Sequence, residues 1–89
     1  MRLDLFLKRS GILKHRSFAK ETCDRGEVTV DGREAKAGKE VVPGSVICLE
    51  LPRESLRIKV KSLPDRNYKR VEGEAFYEVI ARKERGLFE

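Results

Sequence analysis

Residues 2–32, RLDLFLKRSGILKHRSFAKETCDRGEVTVDG, contain two short amphipathic helical patterns, a basic corner between them and a strand that ends in a turn. The apolar residues of the first pattern recur at the i, i+3, i+4 spacing of one helical face: Leu3, Phe6 and Leu7. If that face is buried, Arg2, Lys8 and Arg9 point outward. A basic surface is therefore expected as a direct consequence of burying the apolar one.

Capping and helix-terminating residues in this stretch predict where each helix begins and ends. We expect the first helix over about Leu3–Ser10, ending near Gly11, with residues 12–13 tucked under the helices. Ser17 is the expected N-cap of a second helix, which ends at Gly26. The predicted inward side of that helix comprises Phe18, Ala19, Thr22 and Cys23.

The rest of the chain has the alternation and turn signals of short strands. Residues 28–30 alternate as a strand, and Asp31-Gly32 is a strong hairpin signal because both positions of the favoured turn need positive φ. Pro43-Gly44 predicts a second turn, followed by a strand over Ser45–Leu51. Residues 56–60 predict another strand, with one buried face and one cationic face.

The C-terminal third of the sequence has fewer clear secondary-structure signals. Residues 64–74 have the composition of an exposed loop. Residues 76–82 fit a strand or a helix, and the alternation of Tyr77, Val79 and Ala81 favours a strand, while residues 83–89 fit a helical turn or a frayed tail. The predicted fold is α+β, with two or three N-terminal helices packed on a small, mainly antiparallel, twisted sheet.

Length and composition favour one small intracellular domain. The 89 residues suffice for a single modest core, and no apolar run is long enough for a membrane helix or a signal peptide, so we expect a cytosolic protein without membrane contact. Cys23 and Cys48 lie in apolar patterns and are expected to be reduced, buried side chains. Two cysteines and one histidine do not make a zinc site, so no metal is expected.

Nearly all of the net charge of +5 lies at the helical end, since residues 1–25 carry seven Lys or Arg against three acids. Such a concentration fits a surface that meets a polyanion, although chance clustering in a charge-rich protein is the alternative. Lys14, His15 and Arg16 come just before the second helix, whose N-terminus offers unpaired amides to a phosphate. His15 is either an ordinary surface residue or a group that stacks on or hydrogen-bonds to RNA.

The usual signatures of catalysis do not occur in the sequence. There is no Gly-rich phosphate loop, no nucleophile elbow and no His-Glu metal helix, and His15 is the only histidine. We therefore expect a binding protein without cofactors rather than an enzyme. The lack of an aromatic platform favours structured RNA over single strands as its ligand.

The N-terminal half resembles the RNA-binding domain first recognised in small-subunit ribosomal protein S-four, also called the alpha-L motif. The resemblance covers about residues 1–51, as the core of a single domain 1–89 whose C-terminal strands and tail span 52–89. It is carried, in order, by Arg2-Leu3-Asp4, Phe6-Leu7, Lys14, Arg16, Ala19, Gly26, Val28, Asp31-Gly32, Lys36, Val42 and Pro43-Gly44. The resemblance marks six residues for RNA contact: Arg2, Lys14, Arg16, Lys20, Arg33 and Lys36. The basic helical face and the corner before the second helix add four more expected contacts: Lys8, Arg9, His15 and Ser17.

Within that family, the chain is similar to short free-standing members, the RqcP family and the heat-shock protein fifteen family. The resemblance implies binding to rRNA and tRNA on large ribosomal subunits that carry a stalled peptidyl-tRNA. It also implies that the protein acts together with an RqcH-type tailing factor. We expect a monomer. The alternatives are a protein-interaction adaptor with a basic face, an RNA-binding factor in ribosome assembly, and the RNA-binding module of an RNA-modifying enzyme.

Overall fold

The computed structural model describes residues 1–64 and 76–84. Its elements are the helices α1 (Leu3–Arg9) and α2 (Arg16–Asp24) and the strands β1 (Val28–Val30), β2 (Arg33–Glu34), β3 (Val46–Glu50), β4 (Glu54–Val60) and β5 (Tyr77–Glu84). The strands form one sheet in the order β2-β1-β3-β4-β5, and each neighbouring pair is antiparallel. The predicted α+β fold with an antiparallel sheet is thereby confirmed.

One hydrophobic cluster joins the helices to the sheet. Its sheet side comes from alternate strand residues that the register places together, such as Ile47 opposite Ile58 and Leu49 opposite Leu56. Its helical side includes the three residues predicted from spacing, Leu3, Phe6 and Leu7, all fully buried. The opposite face of β4 presents the exposed side chains of Arg57 and Lys59, as the alternation predicted.

Two turns have the backbone geometry that their sequences predict. Asp31 and Gly32 both have positive φ, 52° and 84°, so β1 and β2 are joined by a tight hairpin turn. The Asp31 carboxylate also accepts a hydrogen bond from the Val46 amide at 3.0 Å, which ties this turn to β3. At the second turn Gly44 has φ 98°, and the Ser45 amide donates to the Val42 carbonyl at 3.0 Å.

The N-terminal residues are hydrogen-bonded to the loop that precedes β3. The Leu3 amide donates to the Lys39 carbonyl at 2.8 Å, and the Val41 amide donates to the Met1 carbonyl at 2.9 Å. The Met1 ammonium group also pairs with Glu40 at 2.9 Å. These bonds place residues 1–4 and residues 37–41 side by side, a contact between distant parts of the chain that local patterns do not reveal.

The start of α2 differs from its prediction. Ser17 is not the N-cap; the helix begins at Arg16, after an extended His15 with φ −126° and ψ 133°. The first turn closes when the Ala19 amide donates to the His15 carbonyl at 3.1 Å, which places Ser17 inside that turn. The predicted end is confirmed, because Gly26 follows α2 with φ 76°.

The C-terminal strand is longer and more exposed than expected. Residues 77–82 are confirmed as strand rather than helix, whereas Phe76 lies in the turn before it. β5 continues to Glu84, with Lys83 opposite Ser55, so the helical turn or tail predicted from residue 83 is wrong at its first two positions. Val79 and Ile80 are 44% and 48% exposed, so the alternation in β5 does not correspond to burial. The remainder of that tail, residues 85–89, lies outside the described residues.

Two further expectations are corrected at single residues. Cys48 is half-buried rather than buried, because it faces the side of the sheet opposite the helices, beside Thr29 and Arg57. Pro64, placed by composition in an exposed loop, is fully buried. The rest of that predicted loop, residues 65–74, lies outside the described residues. In the part of the chain that the structure describes, no helix has the length and apolar character needed to cross a membrane.

Candidate nucleic-acid interface

A buried carboxylate organises the corner between the two helices. Asp4 lies in the first turn of α1, and its side chain is only 4% exposed. Arg2, which precedes α1, donates from Nε to Asp4 Oδ1 at 3.2 Å, and Arg16, at the start of α2, donates from Nε to Asp4 Oδ2 at 3.1 Å. The Leu5 amide donates to Oδ1 at 2.9 Å. One acidic side chain therefore links the residue before α1 to the first residue of α2.

These bonds fix the charge of Asp4. Burial raises the pKa of the Asp4 carboxyl, but hydrogen bonds from Arg16 and Arg2, the charge of Arg16 and the Leu5 amide outweigh it, so the pKa lies below its ordinary value of 3.8. The carboxylate is thus ionised at neutral pH. Both arginine side chains stay about half exposed, at 51% and 48%. Since a guanidinium carries five N–H donors, each arginine retains donors for a second acceptor.

The two arginines open onto a shallow depression of about 340 Å³, called here the Arg2–Arg16 pocket. Its lining consists of Arg2, Asp4, Arg16, Ser17 and Lys20. Three cationic side chains against one carboxylate give the pocket a net positive charge, and the hydroxyl of Ser17 adds a neutral donor. The first turn of α2 contributes partial positive charge beside it. This combination suits a phosphate group.

The loop before β3 lies beside the pocket. The Asp4 amide donates to the Ala37 carbonyl at 3.1 Å, and a Cβ atom added at Gly38 would lie 3.7 Å from Arg2 Nη2. The loop therefore passes within van der Waals distance of the Arg2 guanidinium. Lys36 and Lys39, both exposed, flank that position and extend the cationic surface past Arg2.

The structure brings together only part of the predicted set. Arg2, Arg16, Ser17 and Lys20 share the pocket. The other predicted residues lie outside its lining, in several places. Lys8 is exposed and Arg9 half-buried at the far end of α1, Lys14 and His15 are exposed ahead of α2, and Arg33 is exposed on β2. Arg33 instead shares a second depression of about 350 Å³ with Asp31, Glu34 and Lys39.

Asp4 and Lys39 are contributors that sequence reasoning missed. The sequence places Asp4 among the acids that reduce the local charge and in the Arg2-Leu3-Asp4 motif, but it does not mark Asp4 as a site residue. Its position in the sequence is the signal that could have revealed it. Asp4 lies one turn before Leu7, next to the apolar face of the helix, so burial of that face also covers part of the Asp4 side chain. Lys39 had no such signal, because its place depends on hydrogen bonds between residues far apart in sequence. Across residues 1–64 and 76–84, no three His, Cys, Asp or Glu side chains cluster as ligands for a metal ion.

The sequence and the fold both match known proteins. A sequence model of the S4 domain family matches residues 1–47. An "RQC P-site tRNA stabilizing factor" of Bacillus subtilis (strain 168) is 34% identical over 86 residues, which cover 97% of this chain and 99% of the relative. A protein of the same name from Halalkalibacterium halodurans is 35% identical over 79 residues, or 89% of each chain.

Two solved structures share the fold. Heat Shock Protein 15 of Vibrio cholerae, solved as a trimer, superposes with a TM-score of 0.80 at 28% identity, covering 91% of this chain and 82% of its own. The solution structure of a hypothetical protein, HP1423, superposes with a TM-score of 0.75 at 30% identity, covering 91% and 98%. The chain therefore belongs to the S4 domain family, and to the family of the RQC P-site tRNA stabilizing factors.

Proposed function

We propose that this protein binds the large ribosomal subunit through rRNA and tRNA and stabilises P-site tRNA while stalled complexes carrying peptidyl-tRNA are rescued. The observation that carries the proposal is the match along 97% of the chain to a relative named for stabilising P-site tRNA. The cationic Arg2–Arg16 pocket, which lies within the part matched by the S4 domain, supports it.

The proposed contacts fall into two groups. In the first, Arg2, Arg16, Ser17 and Lys20 hold the phosphate backbone at the pocket. In the second, surrounding side chains attract and orient the RNA: Lys8, Arg9, Lys14, His15, Arg33, Lys36 and Lys39. Structured RNA is bound mainly through phosphates, 2′-hydroxyls and shape, which suits a surface dominated by Arg and Lys.

The finer assignments are our inferences, and a monomer is proposed although Heat Shock Protein 15 of Vibrio cholerae was solved as a trimer. We infer that the protein acts by binding rather than by catalysis, as a cytosolic monomer, beside an RqcH-type tailing factor. We further infer that residues 1–51 form the RNA-binding core of a single domain and that residues 52–89 complete it. Size-exclusion chromatography with light scattering tests the monomer, for which a mass near 10.2 kDa is expected.

A reconstituted subunit assay tests the proposal. Purified large ribosomal subunits loaded with labelled P-site tRNA are sedimented with and without the protein, and both protein and tRNA are measured in the pellet. We expect the protein to co-sediment and the retained tRNA to increase. A protein that stays in the supernatant, or that pellets without changing tRNA retention, contradicts the proposed function.

A matched pair of lysine variants links that result to the pocket. Lys20→Ala removes a charge from the pocket lining, whereas Lys59→Ala removes the same charge from the exposed outer face of β4. We expect Lys20→Ala to weaken subunit binding by roughly three- to tenfold, a loss typical of one phosphate contact, and Lys59→Ala to leave it nearly unchanged. Equal losses would indicate that net charge, and not this surface, governs binding.

Nuclease treatment separates RNA binding from the adaptor alternative. Both modes weaken with salt, so ionic strength does not distinguish them. After digestion of RNA in a lysate, an RNA-binding protein leaves the large-subunit fraction, whereas an adaptor remains with its protein partner. Retention after complete digestion would favour the adaptor.

A further inference from the structure

Asp4 puts a negative charge inside a pocket that is otherwise built to receive phosphate. It shares the lining of that pocket with Arg2, Arg16 and Lys20. By charge alone, the carboxylate opposes RNA binding, because it repels phosphate and offsets a nearby cation. If Asp4 favours RNA binding, it must do so by a means other than its charge.

The hydrogen bonds that Asp4 accepts provide such a means. The side chain of Asp4 is 4% exposed and is itself anchored by the Leu5 amide, so it is a fixed point of the fold. Each of its oxygens accepts a hydrogen bond from the Nε atom of one arginine. Two long side chains from different elements are thereby held in set orientations before RNA arrives. Side chains that are already ordered lose less entropy when they bind.

The bonding atoms also determine what each arginine presents. A guanidinium held through Nε keeps Nη donors for another acceptor, and paired N–H donors match two oxygens of a phosphate. Arg2 and Arg16 are held on the same carboxylate and line the same depression, so both guanidinium groups border the region that a phosphate would occupy. A lysine in either place has one nitrogen, which must serve both Asp4 and the phosphate.

We propose that Asp4 is a positioning residue for RNA binding: it orients Arg2 and Arg16 so that together they hold one backbone phosphate in the Arg2–Arg16 pocket. This inference rests on the proposed function and adds a role for an acid that makes no favourable contact with RNA. The proposal predicts that removing a negative charge weakens the binding of a polyanion, which is opposite in sign to the effect of net charge.

The test compares Asp4→Asn with Glu21→Gln on large ribosomal subunits loaded with P-site tRNA. Both variants replace one carboxylate by its amide, but Glu21 lies exposed on α2 and outside the pocket lining. We expect Asp4→Asn to bind about tenfold more weakly, because Asn has a single acceptor oxygen and no charge, so one arginine loses its anchor and the contact of the other is weakened. Glu21→Gln should bind equally or up to about twofold more tightly. Equal or tighter binding by Asp4→Asn overturns the proposal.

A double-mutant cycle separates positioning from general loss of structure. If Asp4 acts through Arg16, the change Arg16→Ala costs less affinity in the Asp4→Asn background than in the wild type, whereas independent effects add. Circular dichroism and thermal unfolding establish that each variant is folded at the assay temperature. Should Asp4→Asn not fold, Arg16→Lys at the exposed end of the pair is used, and about fivefold weaker binding is expected despite unchanged charge.

The outcomes also separate this proposal from the proposed function. If the wild-type protein does not bind the loaded subunits, the proposed function fails. If the wild type binds and the cycle is additive, or if Arg16→Lys binds as tightly as the wild type, the function stands and the positioning role of Asp4 is wrong.

Discussion

Arg16 donates from Nε to the carboxylate of Asp4 at 3.1 Å, across the junction of the two helices. The acceptor is buried and the donor is half exposed, so the same arginine contributes to the fold on one side and faces solvent on the other. The basic surface and the buried interior share this ion pair.

The first prediction concerns stability. Arg16→Ala should lower the free energy of unfolding by roughly 1–2 kcal/mol, because it removes one partner from a buried carboxylate that keeps Arg2 and the Leu5 amide. The half-exposed side chain of Arg16 keeps this cost below that of a fully buried pair. Urea unfolding monitored by circular dichroism measures it. Lys20→Ala, which removes the same charge from an exposed residue, is the control and should leave stability unchanged. Equal stability of the two variants would contradict the structural role.

A second prediction concerns acid. The pKa of Asp4 in the folded protein lies below 3.8, whereas in the unfolded chain it is near its ordinary value. A group whose pKa is lowered by folding stabilises the protein above its unfolded pKa, and that contribution disappears as the pH falls through the folded pKa. The wild type should therefore lose its stability advantage over Asp4→Asn as the pH falls from about 5 to values below the folded pKa of Asp4.

Urea unfolding of both proteins between pH 7 and pH 2.5 provides the measurement. Other carboxyl groups titrate in both proteins, so the difference between the two curves isolates Asp4. A difference that stays constant over this range would show that ionised Asp4 makes no net contribution.

Local signals predicted most of the elements. The spacing of Leu3, Phe6 and Leu7 and the dipeptide Asp31-Gly32 each act within a few residues, where sterics and periodicity determine the outcome. The same holds for the alternation of β4, whose buried and exposed residues follow the sequence pattern. These features required no knowledge of distant contacts.

The features that local signals did not predict arise from contacts between distant residues. Asp4 is buried because Arg2 and Arg16 cover it, and Lys39 lies beside the pocket because its carbonyl accepts the Leu3 amide. β5 lies at the edge of the sheet, and its side chains are exposed from Glu78 to Glu84. The start of α2 is a separate, local difference: Ser17 has the chemistry of an N-cap, yet His15 is the N-cap and the helix begins two residues earlier than predicted.

The third prediction concerns the hairpin turn. Gly32 has φ 84°, and an added Cβ would meet no atom within 4 Å, so alanine there suffers only from the backbone conformation. Gly32→Ala should reduce the free energy of unfolding by about 1 kcal/mol. Gly38→Ala is the matched control, because its φ is not positive and its Cβ would make an ordinary contact with Arg2. Thermal unfolding compares the two variants, and equal effects would indicate that the turn tolerates a side chain.

The last prediction concerns the two thiols. Cys23 is fully buried, and burial, together with the negative charges of Asp4 and Asp24, raises its pKa to about 11. Since the thiolate is the reactive form, Cys23 should resist iodoacetamide at pH 7.5. Cys48, half-buried on the outer face of the sheet, should be alkylated in the folded protein. Mass spectrometry should therefore find about one adduct per folded chain and two after denaturation in urea.

The variant Cys48→Ser identifies the reactive position. It should gain no adduct while folded and one adduct after unfolding, because only Cys23 remains. Its labelling rate also reports on the core: the Cys23 thiol is exposed only when α2 separates from the sheet, so labelling should accelerate with urea in step with unfolding. Rapid labelling of Cys23 in the native protein would contradict the packing of α2 against the sheet, and with it the pairing of Arg16 with Asp4.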